Sequence, residues 1–265
     1  MSTKPRGVLL AGNWKMNHGP KATQAFFEEL AGAGALPSSV RYLIFPSFTS
    51  LAAASDHAAK ARTMLDASIA IGAQNASWER SGAFTGEVSG PMLTELGLQN
   101  VLIGHSERRQ FFGETPASAG KRTLSLLEQG FRVMLCIGET RAERDSGKML
   151  AVLTEQVAGG LPAGVEKFLN GTVVVAYEPV WAIGTGVNAT PEQAEEAHQA
   201  VRKLIWDRFG MQSAGTTPVL YGGSVKPDNA ATLIAKPNID GFLVGGASLK
   251  AADFRALAQA CGKLA

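Results

Sequence analysis

Eight short apolar runs alternate with helix-forming segments along the whole chain, and this order restricts the possible folds more than any other feature. The runs span residues 8–11, 42–45, 69–73, 101–103, 132–137, 173–177, 218–221 and 241–244. Helical character is seen between them, for example over residues 22–30, 121–128, 142–157 and 192–209. Short, continuous apolar runs are typical of strands buried on both faces. The alternation therefore predicts an α/β fold with parallel strand pairing.

Eight strand–helix units in 265 residues match the size of a (β/α)8 TIM barrel. The alternative is a doubly wound open sheet, which usually carries a glycine-rich nucleotide-binding turn after an early strand. The first run here leads into Asn13-Trp14-Lys15 instead, and this favours the barrel. Because no linker-like or low-complexity segment divides the chain, we expect residues 1–265 to form a single domain.

The composition excludes several classes of protein. With 45% hydrophobic and 18% charged residues the chain can bury a sizeable core. The formal net charge is only +2 and the basic residues are scattered, which argues against a nucleic-acid or membrane partner. The first apolar run is too short for a secretory signal or a membrane span, and two cysteines cannot form a disulfide framework. We therefore expect a cytoplasmic protein with small buried cysteines.

Polar residues follow five of the apolar runs, at the points where the predicted strands end. On a barrel these ends converge on one face, so residues distant in sequence become neighbours. The group contains a carboxylate, an imidazole, an ammonium group and two glycine-rich turns, which suit proton transfer beside a carbonyl on a phosphorylated substrate. Its members are Asn13, Lys15, His105, Glu107, Glu178, Gly222-Gly223-Ser224 and Gly245-Gly246.

Short motifs spread over nearly the whole chain resemble those of the triosephosphate isomerase family. The resemblance implies an isomerase of glycolysis and gluconeogenesis that interconverts dihydroxyacetone phosphate and D-glyceraldehyde 3-phosphate, with no cofactor and no metal ion. The motifs are Gly12-Asn13-Trp14-Lys15-Met16-Asn17, Gly72-Ala73-Gln74-Asn75, Gly82-Ala83-Phe84-Thr85-Gly86-Glu87, Gly104-His105-Ser106-Glu107-Arg108-Arg109, Cys136-Ile137-Gly138-Glu139-Thr140, Tyr177-Glu178-Pro179-Val180-Trp181-Ala182-Ile183-Gly184-Thr185-Gly186, Tyr221-Gly222-Gly223-Ser224-Val225 and Gly245-Gly246-Ala247-Ser248.

The resemblance implies a role for each polar residue. Glu178 resembles the base that moves the proton, and His105 the neutral imidazole that donates a hydrogen bond to the substrate oxygens; both roles are those already established for the family. Lys15 resembles the fixed cation, supported by Asn13. Glu107 resembles a residue that pairs with the lysine, and a catalytic and a purely structural role remain equally open for it.

The resemblance also implies a phosphate site, a lid and a homodimer. Backbone amides of Gly184, Ser224, Gly245 and Gly246 would hold the phosphate. A lid over residues 179–189 would exclude water during the reaction, held shut by Tyr221 and Ser224. Thr85 matches the tip of a loop that reaches into the neighbouring subunit. The proposed lid residues are Pro179, Val180, Trp181, Ala182, Ile183, Gly184, Thr185 and Gly186, and Val187-Asn188 departs from the commoner family pattern.

Two other functions remain open from the sequence. One is an isomerase for a four-carbon ketose phosphate, which would use the same acid–base groups in a roomier pocket. The other is a phosphate-binding relative without turnover, although the presence of Glu178, His105 and Lys15 argues against it. The remaining histidines lie in polar loop or helix contexts, and we interpret them as solvated: His18, His57 and His198.

Overall fold

The computed structural model describes residues 6–183 and 189–263, and its strands form a closed parallel barrel in sequence order, with β1 also paired to β8. The predicted barrel fold is therefore confirmed. The strands are β1 (Val8–Asn13), β2 (Val40–Phe45), β3 (Ile69–Ala73), β4 (Asn100–Ile103), β5 (Arg132–Ile137), β6 (Val173–Tyr177), β7 (Val219–Tyr221) and β8 (Gly241–Val244).

Helices follow the strands and surround the barrel. Within the described residues they are α1 (Pro20–Gly32), α2 (Leu51–Leu65), α3 (Gly90–Glu95), α4 (Ser106–Phe111), α5 (Pro116–Glu128), α6 (Arg141–Asp145), α7 (Met149–Gly160), α8 (Pro191–Thr216), α9 (Pro227–Ile234) and α10 (Ala251–Gly262). A capping box fixes the start of α8, because the Thr190 hydroxyl accepts from the Gln193 N–H and the Gln193 side chain accepts from the Thr190 N–H. None of these helices is long and apolar enough to cross a membrane.

Two predicted helices differ from the structure for reasons of backbone conformation. The segment 142–157 is not one helix: α6 ends at Asp145, and Gly147, with a φ of 71°, separates it from α7. The segment 192–209 continues beyond its predicted end, since α8 runs to Thr216 across a break at Gly210, where φ is 86°. Both glycines adopt left-handed conformations that other residues rarely tolerate.

The core has two layers because side chains on a strand alternate between the inside of the barrel and the surrounding helices. The inner cluster fills the barrel, and its members are Leu9, Ala11, Leu43, Phe45, Leu102, Met134, Cys136, Ala176, Leu220 and Leu243. The outer cluster lies between strands and helices and includes Cys261. Both cysteines are free and buried, as expected. A filled barrel leaves only its two mouths for ligands.

Candidate active site

Glu178 is a buried carboxylate at the carboxyl end of β6. Its side chain is almost fully shielded from solvent, and Oε2 accepts a hydrogen bond from the Ser106 N–H at 3.0 Å. Its main chain is so close to Gly138 that a Cβ on that glycine would lie 1.7 Å from the Glu178 carbonyl oxygen. Only glycine fits there, and the tight contact fixes the position from which the carboxylate projects.

The protonation of Glu178 is set by opposing effects. Burial by itself raises the pKa of this carboxyl, because it disfavours the charged form. The imidazole of His105, the guanidinium of Arg109 and the Ser106 N–H outweigh burial and lower that pKa to about 2. Glu178 is therefore ionised at neutral pH, which is the state that a general base requires.

His105 faces the carboxylate from the end of β4, directly before α4. Its Nε2 lies 2.9 Å from Oε1 of Glu178, and its Nδ1 accepts a hydrogen bond from the Glu107 N–H at 3.2 Å. A nitrogen that accepts a hydrogen bond carries no proton, so Nε2 is the nitrogen of this ring that donates to the carboxylate. α4 begins at Ser106, so His105 is the N-cap residue of this short helix. His105 therefore presents a single donor to the cavity.

Lys15 is held in an uncommon backbone conformation just after β1. Its φ is 52°, which is rare for a residue with a side chain. The Asn13 side chain accepts from the Lys15 N–H at 3.0 Å, and the Gln74 amide donates to the Lys15 carbonyl at 2.8 Å. The ammonium group pairs with Glu107 at 2.7 Å. Such fixed backbone geometry is often found at functional sites.

These groups share one cavity of about 770 Å³ at the carboxyl ends of the strands. Residues from five different strand ends line it, as the sequence predicts: Asn13, Lys15, His105, Glu178, Ser224, Gly245 and Gly246. Glu107 does not line the cavity, but its carboxylate contacts two residues that do: it pairs with Lys15 at 2.7 Å and lies 3.5 Å from Nδ1 of His105. Of the predicted lid, Ile183 lines the cavity, while Gly184, Thr185, Gly186 and Val187-Asn188 lie outside the described residues.

Glu139 is a further buried carboxylate, and it supports the first part of the predicted lid. It follows β5 and accepts hydrogen bonds from the Tyr177 hydroxyl and the Trp181 indole, both at 2.9 Å. Burial and the nearby Glu139 charge raise the pKa of Tyr177. Sequence reasoning gave this glutamate no role. The available signal was its position directly after a strand, where the other site residues also lie.

Arg109 is a second residue to which the sequence analysis gave no role. Its guanidinium donates to the carbonyl oxygens of Gly104, Cys136 and Gly138. It therefore ties the loop after β4 to the end of β5, and its charge helps to keep Glu178 ionised. An arginine in the first turns of a helix gives no such signal in the sequence, because most arginines there are exposed.

The interpretation of the other histidines is wrong for His198. This residue is fully buried in α8, packed against the rings of Tyr177 and Tyr221. His18 is half-buried, and its Nε2 lies 2.9 Å from the carbonyl oxygen of Leu249. His57 is partly exposed. Neither His18 nor His198 lines the cavity, so the correction leaves the predicted site unchanged.

The described parts of the chain offer no set of side chains suited to binding a metal ion. No group of three or more His, Cys, Asp or Glu side chains there could hold a metal ion. The described cavity instead offers an ionised carboxylate, a neutral imidazole and an ammonium group. The fold and these groups define an acid–base enzyme on a (β/α)8 barrel.

Comparison with known proteins identifies the family. The family model described as triosephosphate isomerase matches residues 8–261. A triosephosphate isomerase of Solibacter usitatus is 48% identical over 252 residues, which is 95% of this chain and 98% of the relative. One from Thermus thermophilus is 43% identical over 257 residues, covering 97% of this chain and 100% of the relative. The chain belongs to the triosephosphate isomerase family, and it is an isomerase.

The low pKa of Glu178 predicts a pH dependence of stability. Its pKa in the folded chain, about 2, is below the ordinary value of 4.5, so the ionised carboxylate stabilises the fold above pH 4.5. This contribution is lost as the pH falls from 4.5 towards 2. As the pH falls through that interval, the unfolding free energy of the wild type should therefore decrease relative to that of Glu178→Gln. Thermal unfolding followed at closely spaced pH values measures it, and a difference that stays constant would contradict the assignment.

Proposed function

We propose that the chain interconverts dihydroxyacetone phosphate and D-glyceraldehyde 3-phosphate through an enediolate, as a step of glycolysis and gluconeogenesis. The observation that carries the proposal is the buried, ionised Glu178 with a neutral His105 at 2.9 Å, in the same cavity as Lys15. A base beside an uncharged donor and a fixed cation is suited to removing a proton next to a carbonyl. Family membership supports the same reaction.

In the proposed reaction Glu178 moves one proton between two carbons. The carboxylate takes the proton from one carbon, the electron pair shifts onto the carbonyl oxygen, and the protonated carboxyl returns the proton to the adjacent carbon. The second proton transfer, between the two substrate oxygens, is assisted by His105, whose Nε2–H now points at Glu178. Because the ring is neutral, it can donate to an oxyanion without a large mismatch in proton affinity.

Lys15 is proposed to stabilise the negative charge of the substrate. Its ammonium group lines the cavity, and Asn13 and Gln74 fix its backbone. A cation that is already in place needs little reorganisation when the oxyanion forms. Glu107 contacts Lys15 and does not line the cavity, so we propose that it acts by positioning the lysine rather than by transferring protons.

The phosphate group is proposed to bind at the ends of β7 and β8. Ser224, Gly245 and Gly246 line that side of the cavity, and a helical turn begins at Gly246. A Cβ on Gly245 would lie 3.6 Å from Cε of Lys15, so the glycine backbone and the lysine border the same space. Backbone N–H groups and a nearby cation together form a suitable phosphate site. The sequence also indicates Gly184 for this role, and it lies outside the described residues.

A coupled assay of Lys15→Met tests the reaction and the role of the cation together. We expect the wild type to isomerise the triose phosphates, and Lys15→Met to lower kcat/KM by about 100- to 1000-fold, the usual cost of removing one such donor. Lys60→Met is the matched control, since Lys60 is exposed and pairs with Asp56 on the same helix, α2.

The same assay with a four-carbon ketose phosphate separates the alternative isomerase. A higher kcat/KM for that sugar than for either triose phosphate would contradict the proposed substrate. Equal losses in Lys15→Met and Lys60→Met would contradict the proposed cation.

Tyr221 is proposed to hold the lid closed together with Ser224. Burial raises the pKa of the Tyr221 hydroxyl, and the backbone of Ala189 at the far end of the lid partly offsets this effect. The hydroxyl therefore lies beside the end of the lid. A hydrogen bond to it in the closed state would favour closure over the substrate.

Removal of that hydroxyl should slow the reaction without unfolding the barrel. We expect Tyr221→Phe to lower kcat/KM by roughly three- to tenfold, the net value of one hydrogen bond. Tyr42→Phe is the control, because the Tyr42 hydroxyl is bonded to the Pro37 carbonyl at 2.8 Å, away from the lid. Unchanged turnover in Tyr221→Phe would count against the proposal.

A homodimer is proposed from apolar side chains around the catalytic mouth. Met16, next to Lys15, is 96% exposed and Phe84 is 47% exposed, and Thr85 is exposed on the same loop as Phe84. Exposed apolar groups close to a functional site mark contact surfaces. Another aromatic residue of this loop, Trp78, packs against Lys121 of α5.

We also propose that residues 1–265 form one domain. The enzyme is further proposed to be cytoplasmic, because the cytoplasm is the compartment that contains its phosphorylated substrates.

Charge at the loop tip should disrupt the proposed dimer. We expect Thr85→Arg to sediment as a monomer at concentrations where the wild type is a dimer, because a buried unpaired charge is costly at an interface. Thr63→Arg, on the exposed face of α2, is the control and should leave the dimer intact. A wild type that sediments as an active monomer would refute the proposal.

A further inference from the structure

The amino-terminal mouth of the barrel, opposite the catalytic mouth, contains two arginines and an asparagine. Each lies two residues before a member of the inner cluster, so alternation along the strand directs all three to the barrel interior. The register places Asn100 of β4 directly beside Arg132 of β5. The three residues are Arg41, Asn100 and Arg132, and we call them the amino-terminal triad.

The triad lines a cavity of about 300 Å³. Its other walls are largely apolar and include Leu9, Leu43 and Val174. This volume lies at the lower end of the range for small-molecule sites, where a few polar groups on apolar walls determine the ligand. None of the described residues that line it is acidic. The polar groups offered by the triad side chains are therefore two guanidinium groups and one amide.

The two guanidinium groups have no carboxylate partner among the residues that the structure describes. Arg41 makes one long contact, 3.4 Å to the carbonyl oxygen of Arg6. The nearby carboxylate of Asp240 is shared by Arg6 and Arg202, each at 2.8 Å. That carboxylate also accepts from the Val219 N–H at 2.9 Å, so its direct partners are Arg6, Arg202 and this N–H, and neither arginine of the triad is among them.

The two arginines also affect each other. Burial lowers the pKa of Arg41, the positive charge of Arg132 lowers it further, and Asp240 offsets part of this effect. Like charges at the edge of an apolar cavity repel each other, and this repulsion is relieved by a bound anion.

We propose that the amino-terminal triad binds a small tetrahedral oxyanion, either inorganic phosphate or the phosphate group of a small organic ester. Guanidinium groups match the oxygens of phosphate in pairs, and the amide of Asn100 adds a further donor. The site lies at the other end of the barrel from Glu178 and does not depend on the proposed isomerase activity.

Equilibrium dialysis with radiolabelled phosphate counts the bound anions. We expect the double variant R41Q/R132Q to bind one phosphate fewer per chain than the wild type, and to retain wild-type kcat/KM in the coupled assay. The control R62Q/R208Q removes the same charge from exposed sites on α2 and α8 and should bind as the wild type does. Equal binding by the wild type and R41Q/R132Q would overturn the proposal, as would an equal loss in the control.

Competition identifies the source of the phosphate group. If glycerol phosphate displaces the triad phosphate at a lower concentration than inorganic phosphate does, the ligand is an ester. Displacement by inorganic phosphate or sulfate at lower concentration supports the free ion. Both outcomes support an oxyanion site, whereas displacement by chloride at the same concentration would overturn it.

Thermal unfolding of Arg132→Gln gives a second measurement that also shows whether the variant is folded. In a chloride buffer the variant should melt at or above the wild-type temperature, because the repulsion between the arginines is gone. Addition of phosphate should raise Tm more in the wild type than in the variant, since a ligand stabilises the state that binds it. An equal rise in both proteins would contradict the site.

Discussion

Closure of a parallel sheet is the constraint on which the rest of the structure depends. Every neighbouring pair of strands is parallel and β1 pairs with both β2 and β8, so all strands run in the same direction around the barrel and end at one mouth. Residues that are far apart in sequence are thereby brought together. Lys15 and Glu107 are 92 positions apart and form an ion pair at 2.7 Å. The filled inner cluster keeps the two mouths separate.

At the catalytic mouth, burial and charge are balanced so that a carboxylate stays ionised in an apolar setting. Glu178 is buried, yet one imidazole, one guanidinium and one backbone N–H offset the cost. The Glu107 N–H in turn donates to Nδ1 of His105 and so leaves Nε2 to face the carboxylate. At the other mouth such a balance is missing, because Asp240 is already shared by Arg6 and Arg202. The same barrel therefore has a satisfied anionic centre at one end and an unsatisfied cationic one at the other.

The sequence predicted the features that depend on local pattern or on strand ends. The strand runs follow from periodicity, and strand ends placed Asn13, Lys15, His105 and Glu178 at one mouth. It could not predict the burial of His198, because a polar helix context gives no sign of the two tyrosine rings that enclose it. Nor could it show Glu139 beneath Trp181, since that contact joins the ends of two strands. The helix breaks at Gly147 and Gly210 rest on a positive φ at each glycine. Glycine permits a positive φ but does not require it, so the sequence alone could not place these breaks.

The most direct test of the account is a crystal structure with a bound, non-isomerisable substrate analogue such as glycerol 3-phosphate. We predict one molecule in the catalytic mouth, with Glu178, Nε2 of His105 and Nζ of Lys15 all within about 3.2 Å of its oxygens or reacting carbons. Its phosphate should contact the backbone N–H groups of Gly245 and Gly246. An analogue that reaches only one of the three side chains, or that binds with its phosphate away from β7 and β8, would contradict the account.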